Sequence, residues 1–95
     1  MNIDELREEL KIDEGVKYEI YLDHLQLPTL GIGHLIRETD PEHGLPVGTA
    51  IDEERVNELF QSDIEITIIE CRELFPNFDD LPEEAQKICA NMMFN

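Results

Sequence analysis

The hydrophobic period changes twice within the first 36 residues, and this limits what the chain can build. Ile3, Leu6 and Leu10 recur at helical spacing among charged residues. Gly15 then supplies a stop, so the spacing predicts a helix from Ile3 to Asp13. From Lys17 to Leu22 the period falls to two, with Tyr18, Ile20 and Leu22 on one face and Lys17, Glu19 and Tyr21 on the other. That is the pattern of a half-buried strand. Asp23 follows at its end, on the Glu19/Tyr21 parity. Pro28 to Ile36 reads as a second and third short strand, with Gly31 and Gly33 at tight bends. The expected class is α+β, a small antiparallel sheet against one helix.

The stretch from Arg37 to Thr49 is a loop, marked by "TDPEHGLPVGT". Asp52 is placed to cap the next helix. Val56, Leu59, Phe60, Ile64, Ile68 and Cys71 step by three or four, predicting one long amphipathic helix through Leu74. "FPNFDDLP" breaks it. Asp80 is expected to cap a last helix with Pro82 near its first turn, and Ala85, Ile88, Cys89, Met92 and Met93 form its apolar stripe. The expected organisation is an N-terminal lobe over 1–51, a connecting helix over 52–75, and the start of a helical lobe over 76–95. The last stripe needs cover, from the long helix, from another chain through self-association, or from the rest of a longer protein.

Composition narrows the function classes. Ninety-five residues make one small domain. A net charge of −16, from 23 acidic and 7 basic residues, argues against binding a phosphate backbone. No apolar run approaches the ~18 residues of a membrane span. No secretory signal opens the chain, so the cytoplasm of whatever cell makes it is the expected compartment. Cys71 and Cys89 lie on apolar helical positions and read as buried, reduced thiols. His24, His34 and His43 with Asp40 and Glu42 fit neither a zinc spacing nor an EF-hand order, and "GIG" lacks the rest of a phosphate loop. No metal or cofactor is expected.

The informative carboxylates are Glu14 and Asp23. A helix C-terminus carries partial negative charge and disfavours a carboxylate by ~0.3–1 kcal/mol. If Glu14 is also partly buried, desolvation raises its pKa further, as a general acid requires. An ionised Asp23, with the Thr29 hydroxyl to orient water, would supply the other half of a glycosidase pair.

At these residues the chain resembles the T-even phage lysozyme family. "MNI" at the start, "IDEG" at 12–15, "IY" at 20–21, Asp23, Thr29 and "GIGHL" at 31–35 carry the likeness, with "LFQSD" at 59–63, "FPNFDDL" and "NMMFN" coming after in order. The resemblance implies a muramidase that cleaves the β-1,4 bond between N-acetylmuramic acid and N-acetylglucosamine in peptidoglycan, with inversion. Inversion would set the two carboxyls ~6.5–9.5 Å apart. By position, Glu14 would be the acid, Asp23 the partner that activates water or steadies positive charge, and Thr29 the holder of that water. The resemblance further implies a His34–Asp63 ion pair tying sheet to long helix, and sugar contacts from Leu35, Phe94 and Asn95. It implies action on the cell wall after release from the host cytoplasm. Three departures stand out: a shorter connection after His34, a 23–29 turn without glycine, and a family C-terminal lobe that continues beyond "NMMFN".

Overall fold

Asn2 opens the first helix by accepting a hydrogen bond from the Glu5 amide at 3.2 Å, and Asp4 and Glu5 lie in the first turn, where acid is favoured. The computed structural model describes residues 2–94. Helix α1 runs Ile3–Glu14, followed by strands β1 (Lys17–Leu22), β2 (Pro28–Gly31) and β3 (His34–Leu35). Helix α2 spans Glu53–Leu74, a single 3-10 turn spans Phe78–Asp80, and α3 spans Glu83–Phe94. The fold is α+β, three helices and one three-stranded antiparallel sheet in the order β1-β2-β3. Leu6 and Leu10 of α1 are fully buried, and the Gly15 amide closes the helix on the Lys11 carbonyl at 2.9 Å.

The alternation expected of β1 holds only at its centre. Ile20 is fully buried, but Tyr18 and Leu22 are 48% and 43% exposed. A bulge between Lys17 and Ile20 breaks the pleat. The loop before α2 then folds back on this strand. The Ile20 amide donates to Thr49 O at 2.9 Å, Gly48 N to Ile20 O at 2.7 Å, and Ile51 N to Tyr18 O at 2.9 Å. The outer edge of β1 is thereby covered by backbone rather than left as a pairing template.

The sheet rests on α2. Gly31 has φ of 61°, and a Cβ there would lie 2.9 Å from Val56 Cγ1, so a side chain would force the sheet off the helix. Twenty-two residues of α2 reach about 33 Å at 1.5 Å per residue, most of the 43 Å long axis. Val56, Leu59, Phe60, Ile64, Thr67 and Cys71 are its buried face. Thr67 joins this face by donating to the Asp63 carbonyl at 2.8 Å, which satisfies its hydroxyl, and the expected Ile68 packs against the core partly buried. Asp52 stands at the N-cap, but its side chain makes no cap bond, contrary to expectation; its carbonyl takes the Val56 amide.

The last helix differs more from its sequence reading. Asp80 lies in the 3-10 turn, and Pro82 directly precedes α3 with its carbonyl taking the Gln86 amide, so Asp80 is not the cap. The buried side chains are Gln86, Cys89 and Ala90, whereas Ile88 and Met92 are 57% and 71% exposed. Gln86 is buried because its amide donates to Phe78 O at 2.9 Å. Helix α1 reaches across to α3 rather than serving the sheet alone. Asn2 N donates to Glu83, Lys87 to Glu5 and Glu9, and Asn91 to Asp13. Cys71 and Cys89 are free and buried, with sulfurs 3.1 Å apart. Burial, then the neighbouring thiol, pushes the Cys71 pKa up to about 12. Among the described residues, no helix is long and apolar enough to cross a membrane.

Candidate active site

Glu14 is the last residue of α1, where the helix runs into the turn between β2 and β3. That turn places Gly33, at φ 64°, directly against it: a Cβ on Gly33 would sit 2.9 Å from Glu14 Oε2. The glycine therefore serves both backbone conformation and close approach. Burial lifts the Glu14 pKa above the ordinary carboxyl value, and the negative charge of Asp13 adds to the effect. Among the described residues no cation pairs with it.

Asp23 follows the end of β1 and organises the glycine-free turn. Its Oδ1 accepts the amides of Leu25 at 2.8 Å and Leu27 at 2.9 Å, and its carbonyl accepts the Gln26 amide at 2.9 Å. These bonds hold Gln26 at φ 64°, a conformation a non-glycine residue adopts at some cost. Pro28 then starts β2, and Thr29 is 3% exposed with its hydroxyl donating to Leu27 O at 2.9 Å. With its proton so committed, Oγ1 keeps its accepting capacity for a further partner.

Glu14, Asp23 and Thr29 line one cleft of about 500 Å³. Leu35 and Phe94 line it too; Leu35 is 47% exposed and Phe94 packs edge-on against Phe60 with centroids 5.9 Å apart. Asn95, the third sugar contact implied by the resemblance, lies outside the described residues.

Tyr21 is a cleft residue that the sequence reading placed on a strand face without a role. It stands opposite Thr29 in the sheet register. Burial raises its pKa, the Gly33 amide partly offsets this, and the charges of Glu14 and Asp23 raise it further. Lys17 Nζ lies 4.4 Å from its ring centroid and steadies the ring by a cation–π contact. Its shared parity with Asp23, two positions on, was the available signal.

His34, 4% exposed, also lines the cleft and is held between two carboxylates. Its Nδ1 is 2.6 Å from Asp63 Oδ2 and its Nε2 2.8 Å from Asp40 Oδ2. Burial disfavours the imidazolium, but the hydrogen bonds and charges of Asp63 and Asp40 outweigh it and raise the His34 pKa. The His34–Asp63 contact thus joins β3 to α2 as the resemblance implied, and Asp40 is an additional partner. The loop is fastened again where Arg55 donates two bonds to Glu42, at 2.9 and 3.0 Å, which hold that carboxyl below its usual range.

Among the described residues no three His, Cys, Asp or Glu side chains gather as a metal site. No protein-family model matches the chain, and no curated protein matches it significantly.

Proposed function

We propose that this chain acts as a phage-type lysozyme, hydrolysing the β-1,4 bond between N-acetylmuramic acid and N-acetylglucosamine in peptidoglycan. The carrying observation is that Glu14, Asp23 and Thr29 share one cleft while Glu14 is biased toward its protonated form. Glu14 gives its proton to the glycosidic oxygen as the bond from that oxygen to the anomeric carbon breaks. A water between Asp23 and Thr29 attacks the same carbon from the opposite face. Asp23 draws off its proton or steadies the positive charge on the sugar; Thr29 Oγ1 accepts one of its hydrogens. This order of events inverts the anomeric centre and needs carboxyls ~6.5–9.5 Å apart. Leu35 and Phe94 offer the sugar rings an apolar wall. The substrate lies in the bacterial wall, reached after release from the host cytoplasm.

The experiment is clearing of purified peptidoglycan by wild type and Glu14→Gln, with the anomer of the fresh product read by proton NMR. Clearing by wild type alone, giving the inverted anomer, supports the reading; equal clearing by both removes Glu14 from its role. A second reading, a non-catalytic module that docks on another subunit, is favoured by one observation. Ile88 and Met92 stand largely exposed on α3. Sedimentation of a strictly monomeric, folded species counts against it.

A further inference from the structure

We propose that Arg37 reads a carboxylate on the substrate, so that the cleft takes acidic glycans in preference to neutral ones; this rests on the muramidase reading of the same cleft. The charged side chains lining the cleft are mostly negative: Glu14, Asp23, Asp63 and Glu70. Three basic side chains line it too, the imidazoles of His24 and His34 and the guanidinium of Arg37. Both ring nitrogens of His34 are already taken by carboxylates, and it is almost wholly buried. Arg37 is different. Its side chain is 55% exposed and engages Asp63 Oδ1 through Nη2 alone, at 3.4 Å. A guanidinium carries five N–H donors, so most of the fork is left for a ligand.

The position of this arginine is built rather than incidental. Its backbone amide donates to Asp40 Oδ2 at 2.9 Å. The same oxygen meets His34 Nε2, His34 Nδ1 meets Asp63, and Asp63 meets the Arg37 guanidinium. Four residues close a ring of bonds that fixes Arg37 at both its backbone and its head. A carboxylate-bearing glycan approaching a chain of net charge −16 is repelled at long range and needs a local cation to dock. Where N-acetylmuramic acid carries no stem peptide, its lactyl carboxylate matches a guanidinium fork; the neutral N-acetylglucosamine polymer offers it no charge.

The test uses the full chain carrying Glu14→Gln, so that probes are bound without turnover. Two tetrasaccharides are titrated by NMR: neutral N-acetylglucosamine tetramer, and the alternating tetramer bearing muramic carboxylates. The carboxylated probe should bind roughly fivefold tighter, the scale of a half-exposed ion pair. Adding Arg37→Gln should erase that preference while leaving neutral binding unchanged. Arg37→Lys, which keeps charge without the fork, should keep part of it. Added salt should shrink the preference. Equal affinity for both probes, no binding of either, or equal weakening of both by Arg37→Gln overturns the proposal. If wild type clears no peptidoglycan yet the charge preference holds, the muramidase reading fails and the carboxylate site stands.

Discussion

Two parts of the cleft lining treat charge in opposite ways. In one, His34 is almost fully buried, yet each ring nitrogen meets a carboxylate and the assembly is further tied to Arg37. In the other, Glu14 is half-hidden beside another acid, Asp13, and among the described residues no cation offsets it. A charge buried with partners is costly to unpair; one buried without them is a cost that folding alone gives no reason to keep. Such a group is a candidate for chemistry, since the environment that makes its charge costly also biases it toward its protonated form. The paired part fixes β3 on α2, and the unpaired part faces the same space. A clamped ion-pair network and an unpaired carboxyl thus line one groove.

The largest effects should come from removing one charge in each part. Glu14→Gln keeps shape and, on the proposed muramidase reading, removes the proton donor. Peptidoglycan clearing should fall by roughly 10²–10⁴, the usual share of a general acid, while the melting temperature stays equal or rises. A protein that loses activity only because it unfolds would break the contrast. Asp63→Asn should do the reverse. It leaves His34 with one carboxylate and Arg37 without its anchor, and should cost about 2–4 kcal/mol in urea denaturation. A loss below ~0.5 kcal/mol, the level of an ordinary surface change, would show that the clamp is not what holds the sheet to α2.

The sequence disclosed these parts unequally. Helix α1, the strand at 17–22, the hairpin and α2 were readable because each has a sustained period bounded by Gly, Pro or Asp. Glu14, Asp23 and Thr29 were singled out by position and resemblance, and they do meet at one cleft. Asp40 was not found as a partner of His34, because it lies in an aperiodic loop where spacing carries no directional information. The face of α3 was misread for a related reason. Gln86 goes inside because a backbone carbonyl at Phe78 waits for it, and a hydropathy pattern counts glutamine as outside. Tyr18 and Leu22 were assigned to the buried face by alternation, but a bulge between Lys17 and Ile20 decouples alternation from burial at Tyr18, and Leu22 ends the strand half-exposed.

Gly33→Ala tests the contact that defines the acid's surroundings. The added methyl must occupy a backbone at φ 64° and approach Glu14 Oε2 to 2.9 Å. Strain at such a position should cost about 1–2 kcal/mol, less than Asp63→Asn, and the carboxyl should move outward into water. The Glu14 pKa, tracked by carbon-13 NMR of the side chain, should then fall toward its ordinary value. An unchanged titration would mean that burial by Gly33 and its turn is not what raises it.

The mildest perturbation is pH itself, because it weakens the clamp without removing an atom of it. His34 has a raised pKa in the folded protein: burial works against it, and Asp63 and Asp40 prevail. Its contribution to stability is therefore whole below the ordinary histidine value of ~6.5 and is lost as pH rises through the folded value. Asp40 has the opposite sign. Burial raises its pKa, but the Arg37 amide and then His34 lower it more. Its contribution is whole above ~3.9 and is lost as pH falls through the folded value. The clamp should thus hold best between about pH 4 and 6.5. Above that window a neutral imidazole still donates one N–H, so the loss should be smaller than that of Asp63→Asn. Glu14, with its raised pKa, also withdraws stability as pH rises, so the two parts must be separated by mutation. Urea denaturation across pH should show an alkaline decline that His34→Gln flattens and Glu14→Gln only trims. A decline indifferent to His34→Gln would place the pH sensitivity with the acid and undo the division between a fixed part and a poised one.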